Sequence, residues 1–161
     1  MARIAKNRAK DRPGQQRGDR WLRDFVPYQL YRITNQLNRR LRRRLRRSHI
    51  NIGRWRVLGV LKAHGEQTMS EVVERTVMEQ PTASRIVAQL VKEGLVDREM
   101  SQQDSRFVHV KLTKAGEAAF REIYPIAVEH QTRALRDFSK AEIATLMEFL
   151  ERIQHNVEAE D

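Results

Sequence analysis

Cysteine is absent from this chain of 161 residues. That excludes a disulfide frame, a thiolate metal site and a cysteine redox sensor. Long apolar runs are missing too, since nothing approaches the roughly 20 residues that a membrane-spanning helix needs. The first 20 residues lack the apolar segment of a secretory signal, so the expected location is the cytoplasm. No nucleophile–base set and no Gly-rich phosphate loop appears, which argues against an enzyme and gives no sign of a cofactor. The five histidines, His49, His64, His109, His130 and His155, show no metal-ligand spacing.

Acid is scarce where base is plentiful. Residues 1–50 hold sixteen Lys/Arg against three Asp/Glu, residues 51–112 hold nine against eight, and residues 113–161 hold six against ten. The formal net charge is +10. A balance of this kind points to a polyanionic partner, most often nucleic acid. The length fits one domain with a sizeable core.

Seven of the ten residues in NRRLRRRLRR, positions 38–47, are arginine. Leu30, Ile33, Leu37, Leu41 and Leu45 recur at spacings of three and four, which keeps them on one face of a helix. A disordered tail has no reason to place leucine that way. The pattern predicts a long amphipathic helix from about Pro27 to Arg47, with Pro27 tolerated in its first turn. Before it, residues 1–20 read as a flexible basic arm. The narrow leucine stripe suggests packing against another helix, in the same chain or a second one.

Residues 52–65 predict a helix closed by a glycine. Ser70 is a candidate N-cap for a short helix to about Thr76. After a turn at 77–80, Pro81 suits the first position of a second helix, which runs to about Glu93 and stops at Gly94. Two short helices around a tight turn make a helix-turn-helix pattern. Residues 96–100 and 106–112 then read as two strands around a polar tip, Val108, Val110 and Leu112 alternating with Phe107, His109 and Lys111. The expected fold class is mainly α with a small two-stranded β wing: a winged helix-turn-helix flanked by N- and C-terminal helices.

The stretch from Ile52 to Gly116 resembles the MarR family of bacterial transcription regulators. MEQPTASRIVAQLVKEGLVDR resembles the family's recognition helix and first wing strand. DSRFVHVKLTKAG resembles its wing signature, carried here by Asp104, Arg106, Leu112, Thr113 and Gly116. The Glu-Gln-Pro-Thr lead-in is similar to the SlyA-like branch. The resemblance implies one MarR-type domain over residues 21–161, with an N-terminal dimerisation helix at 21–50, the DNA-binding region at 51–112 and C-terminal dimerisation helices at 113–161. It further implies a nucleoid-associated homodimer, a repressor on a pseudo-palindromic operator in double-stranded DNA.

The chemistry of the DNA contacts follows from residue type. A recognition helix enters the major groove by its first turns, which hold Gln80, Pro81, Thr82, Ser84 and Arg85. Arg85 can bond guanine bidentately, while Thr82 and Ser84 serve either base contacts or the helix start and a phosphate. Arg98, on the first wing strand, joins the candidate contacts. At the wing tip Arg106 would enter a minor groove, oriented by Asp104. Ile86, Val87, Leu90 and Val91 belong to the core.

Thr113 can cap a helix toward Asp137, which Pro125 should kink or break. Ser139 and Glu142 form a capping box for the last helix, with Phe138 and Ile143 as its staple. That helix carries an apolar face of Ile143, Leu146, Met147, Leu150 and Ile153. The resemblance implies that the first and last helices of two subunits interdigitate. It also implies a small aromatic or anionic effector, for which Tyr28, Tyr31, Arg32, Asn35 and Trp55 are candidates; core aromatics with a solvated Arg32 are the alternative. Two other classes stay open: a non-specific architectural or RNA-binding basic protein without an effector, and, last, a membrane-surface helix.

Overall fold

Side-chain caps set where four helices of this chain begin. Asn51, Thr68, Thr113 and Ser139 all have extended backbone, and each accepts a hydrogen bond from the N–H three residues on. The computed structural model describes residues 20–46, 48, 50–100 and 108–159. The chain divides into two units, one up to Arg39 and one from Arg40.

In the first unit α1 (Arg20–Asp24) precedes α2 (Val26–Leu45), which runs on into the second unit. Phe25 separates the two helices, and its ring lies 6.1 Å from that of Trp21. The Gln29 side-chain amide donates to the carbonyls of Leu22 and Arg23, at 3.0 and 3.1 Å. It thereby satisfies two acceptors that the end of α1 leaves open. The short α1 was not foreseen from the sequence; α2 matches the expected amphipathic helix, with Pro27 in its first turn.

The second unit continues with α3 (Ile52–His64), β1 (Gln67–Thr68), α4 (Met69–Thr76), α5 (Gln80–Lys92), β2 (Val96–Met100), β3 (Val108–Leu112), α6 (Lys114–Ala134) and α7 (Lys140–Glu158). Its core draws Leu41 and Leu45 from α2, Val57, Leu58 and Leu61 from α3, and Val72 from α4. Ile50, with Ile86, Val87 and Leu90 of α5, Val96, Val110 and Ile123, completes it. Each such side chain contributes about 1.5–3 kcal/mol by leaving water.

Four details depart from the sequence reading. The sheet has three strands, in the order β1-β3-β2, because Gln67 and Thr68 pair with Val110 and His109. Two residues are too few to leave a period-2 signal. Thr68, not Ser70, caps α4, in a capping box with Glu71. Pro81 is the second residue of α5, after Gln80. Finally, α6 runs through Pro125 as one helix to Ala134.

Candidate nucleic-acid interface

Ala83, Ile86, Val87 and Leu90 bury one face of α5. Their spacing leaves the opposite face to solvent, and there Gln80, Pro81 and Arg85 are exposed while Thr82 and Ser84 are half-buried. No side chain caps the first N–H groups of α5. The structure therefore brings five of the sequence-derived candidates onto the first turns of one rigid helix. Ala88, Gln89 and Lys92 lie further along α5, of which Ala88 and Gln89 are exposed and Lys92 is exposed beside the helix end. Sequence alone pointed no further than Arg85. The signal passed over was the helical period, which places Gln89 one turn beyond Arg85 and Lys92 two turns beyond.

The end of α5 is fixed from three sides. Gly94 has φ +70, which lets the chain reverse, and the N–H of Leu95 returns to the Leu90 carbonyl at 2.9 Å. Arg54 of α3 forms an ion pair with Glu93. The Thr113 hydroxyl donates to the Gly94 carbonyl at 2.7 Å and accepts from the Gly116 N–H at 3.0 Å. The two glycines and the threonine of the sequence motif thus hold α5 against the wing and the start of α6.

In the wing, β2 and β3 pair antiparallel from Val96↔Leu112 to Met100↔Val108. Val96 and Val110 are the buried residues of this ribbon, and Arg98, opposite Val110, is exposed. The Lys111 ammonium bonds Glu99 at 2.9 Å, and that bond holds it above its usual range. His109 Nδ1 lies 3.2 Å from Glu66, beside β1. Asp104 and Arg106, the expected tip, lie outside the described residues, as does the expected basic arm up to residue 19.

The effector candidates fall on both units. In the first, Tyr28 is half-buried and Tyr31, Arg32 and Asn35 are exposed, the Asn35 amide donating to the Tyr31 carbonyl at 2.9 Å. In the second, Trp55 stacks on Phe120 with ring centres 5.2 Å apart and planes 9° apart. Phe120 in turn meets Tyr124 at 5.5 Å. Phe120 and Tyr124 carry helical spacing on α6 that the sequence reading did not use. Among the described residues no three His, Asp or Glu stand together to hold a metal, and no helix is long and apolar enough to cross a membrane.

A family model described as MarR family matches residues 50–106. A MarR family transcriptional regulator from Silicibacter pomeroyi is 32% identical, with a TM-score of 0.77 over 84% of this chain and 90% of its own. The HTH-type transcriptional repressor IacR of Pseudomonas putida is 29% identical over 135 residues, 84% of this chain and 81% of that protein. A mutant MarR from E. coli, solved in complex with operator DNA, shares the fold at 21% identity. Its TM-score is 0.71 over 82% of this chain and 96% of its own.

Proposed function

The chain belongs to the MarR family of transcriptional regulators, and on that premise we propose that it works as a homodimeric repressor. Each protomer lays α5 in the major groove of one half of a pseudo-palindromic operator. The observation that carries this is the outward face of α5. A single helix presents Gln80, Thr82, Ser84 and Arg85, while four buried residues and the Gly94–Thr113–Gly116 lock keep it from moving. Rigid placement is what base readout requires. In this reading Arg85 takes a guanine bidentately, Thr82 and Ser84 set the helix on the backbone, and Gln89 reaches a further base edge. Arg98 and the wing tip with Asp104 and Arg106 hold the flanking groove. The chemistry is recognition and involves no catalysis.

Two-fold symmetry finds support in α7. It buries none of its residues, and Met147, Phe149, Leu150, Ile153 and Val157 stand exposed. Apolar faces of this kind on a soluble chain call for a partner. We assign the effector to the aromatic acids or related anions. On one unit, Trp55 on Phe120 offers a flat apolar surface. Tyr28, Tyr31, Arg32 and Asn35 of the other unit are a separate candidate surface, with phenols, an amide and a carboxylate-binding guanidinium.

Selection of bound duplexes from a random pool tests the reading. A palindromic consensus with half-site centres about one helical turn apart is expected. Arg85→Ala should then relax the preference at one position in each half-site, by about 1–3 kcal/mol. Recovery of no consensus would return the chain to non-specific binding. A panel of aromatic acids that leaves operator affinity unchanged would remove the effector.

A further inference from the structure

The arginine run on α2 has no part in base readout by α5. Arg40, Arg42 and Arg43 lie in the last turns of α2, Arg46 lies just past its end, and all four are exposed. Leu41 and Leu45, between them in sequence, are buried in the unit's core. The leucines therefore fix which way this segment faces, and the guanidinium groups are turned outward. The twenty residues of α2 hold Arg32, Arg39, Arg40, Arg42, Arg43 and Arg44 and no Asp or Glu. Arg44 has a carboxylate, Glu129 at 3.2 Å. Among the described residues no ion pair joins Arg40, Arg42, Arg43 or Arg46 to an acid.

A helix C-terminus favours cations in its last turn, which accounts for some of this charge. Arg40 lies before that turn. Arg40 and Arg43 are three residues apart, and so are Arg43 and Arg46; Arg42 and Arg46 are four apart. At these spacings like charges repel. A merely solvated face relieves such repulsion by mixing signs, as α7 does where Arg152 follows Glu148 and Glu151. On α2 nothing in the helix relieves it, and a docked polyanion would. Arginine also suits phosphate better than lysine does, because its planar fork bonds two oxygens and sheds water more readily. Four residues of helix advance about 6 Å, the axial distance over which one strand of duplex DNA presents about two phosphates, at about 3.4 Å of axis each.

We propose that the Arg40–Arg46 face of α2 is a second, sequence-independent dock for the phosphate backbone of double-stranded DNA, distinct from α5 and the wing. It rests on the reading that duplex DNA is the partner, and it does not depend on the protein's having an operator. Its work is to hold the protein on DNA between specific sites and to add affinity that carries no sequence information.

The test uses the full chain with Arg42, Arg43 and Arg46 all replaced by Gln, and a second variant with all three replaced by Lys. Affinity is measured against salt on a random duplex of about four helical turns and on one of equal length carrying the selected consensus. The Gln variant should flatten the log–log salt slope by about 0.9 for each phosphate it no longer neutralises, and should weaken binding at least about tenfold at roughly 0.1 M salt on both duplexes. The preference for consensus over random DNA should stay as it was, and the Lys variant should keep most of the slope. Equal slopes for the parent and the Gln variant would overturn the proposal. So would loss of the dimer in sedimentation with an unchanged slope, which would assign the face to the acidic α7 of a second copy. A weakening seen with single-stranded RNA and with neither duplex would overturn it equally. If no consensus is selected at all, the repressor reading fails, yet the random duplex still decides this one.

Discussion

Gly116 lies against the Leu95 carbonyl so closely that a Cβ at position 116 would stand 1.9 Å from the oxygen. The same carbonyl accepts the Thr113 N–H at 3.2 Å. The turn after α5, the end of β3 and the first turn of α6 therefore meet at one point. Any side chain at 116 must push the wing and the end of α5 apart.

Gly116→Ala should accordingly destabilise the protein by about 3 kcal/mol, the upper end for overpacking, because the obstacle is backbone and cannot rotate away. Gly59 is the control. A Cβ there meets nothing within 4 Å and the site is inside α3, so Gly59→Ala should stabilise by about 0.5–1 kcal/mol. Urea titration of both variants checks the pair. Similar effects of the two substitutions would contradict the packing described.

The turn of the helix-turn-helix holds a strained residue. Val77 has φ 51 and ψ 53, left-handed backbone that a β-branched side chain rarely adopts, and it is 86% exposed. Its side chain contributes no packing that would offset the strain. Val77→Gly should therefore stabilise by about 0.5–1 kcal/mol, the relief of strain being partly offset by the freer unfolded chain. A lower thermal midpoint for Val77→Gly would show that valine is held there by something other than its backbone.

The winged core was legible because it is periodic and punctuated. Leu41 and Leu45 kept helical spacing, Gly94 and Thr113 stood where an end and a cap are needed, and β3 alternated. The parts that were not legible depend on tertiary pairing. β1 is a strand only because β3 lies beside it, and Gln67 and Thr68 alone carry no pattern. Val77 gives no warning of left-handed backbone, since glycine or asparagine is the usual signal. Thr68 outcompeted Ser70 as a cap because Glu71, three residues on, completes the reciprocal bond. The outward face of α5 was half legible: Arg85 stood out by chemistry, whereas Gln89 and Lys92 carry only the helical period as their signal.

The two capping boxes should make the fold acid-sensitive. Backbone and hydroxyl hydrogen bonds from Thr68 hold Glu71 below its usual range, and those from Ser139 do the same for Glu142. A carboxylate whose folded value is depressed gives stability that is complete above its unfolded value. That stability is lost as the pH falls through the lower folded value. Glu71→Gln should therefore be less stable than the parent above about pH 5, and the gap should narrow as the pH falls toward about 3. A gap that holds constant across urea titrations over that range would show that the charge on Glu71 contributes nothing.

The last helix separates folding from assembly. Nothing on α7 is buried, so the winged core owes little to its apolar side chains. Leu150 and Ile153 are 36% and 37% exposed, one turn apart on one face, with Met147 beside them at 51%. Replacing Leu150 and Ile153 together with Asp should leave the helix content and the urea midpoint of the core nearly unchanged, since exposed substitutions cost within about 0.5 kcal/mol. In a dimer the same pair of charges would sit in an apolar interface and cost several kcal/mol, enough to shift the equilibrium to monomer. Sedimentation at micromolar concentration should then give one protomer's mass. DNA binding should fall by more than a halved interface explains, because the second half-site no longer gains from effective concentration. A variant that stays dimeric would place the interface elsewhere. A monomer that binds the consensus as tightly as the parent would refute the two-fold reading of the operator.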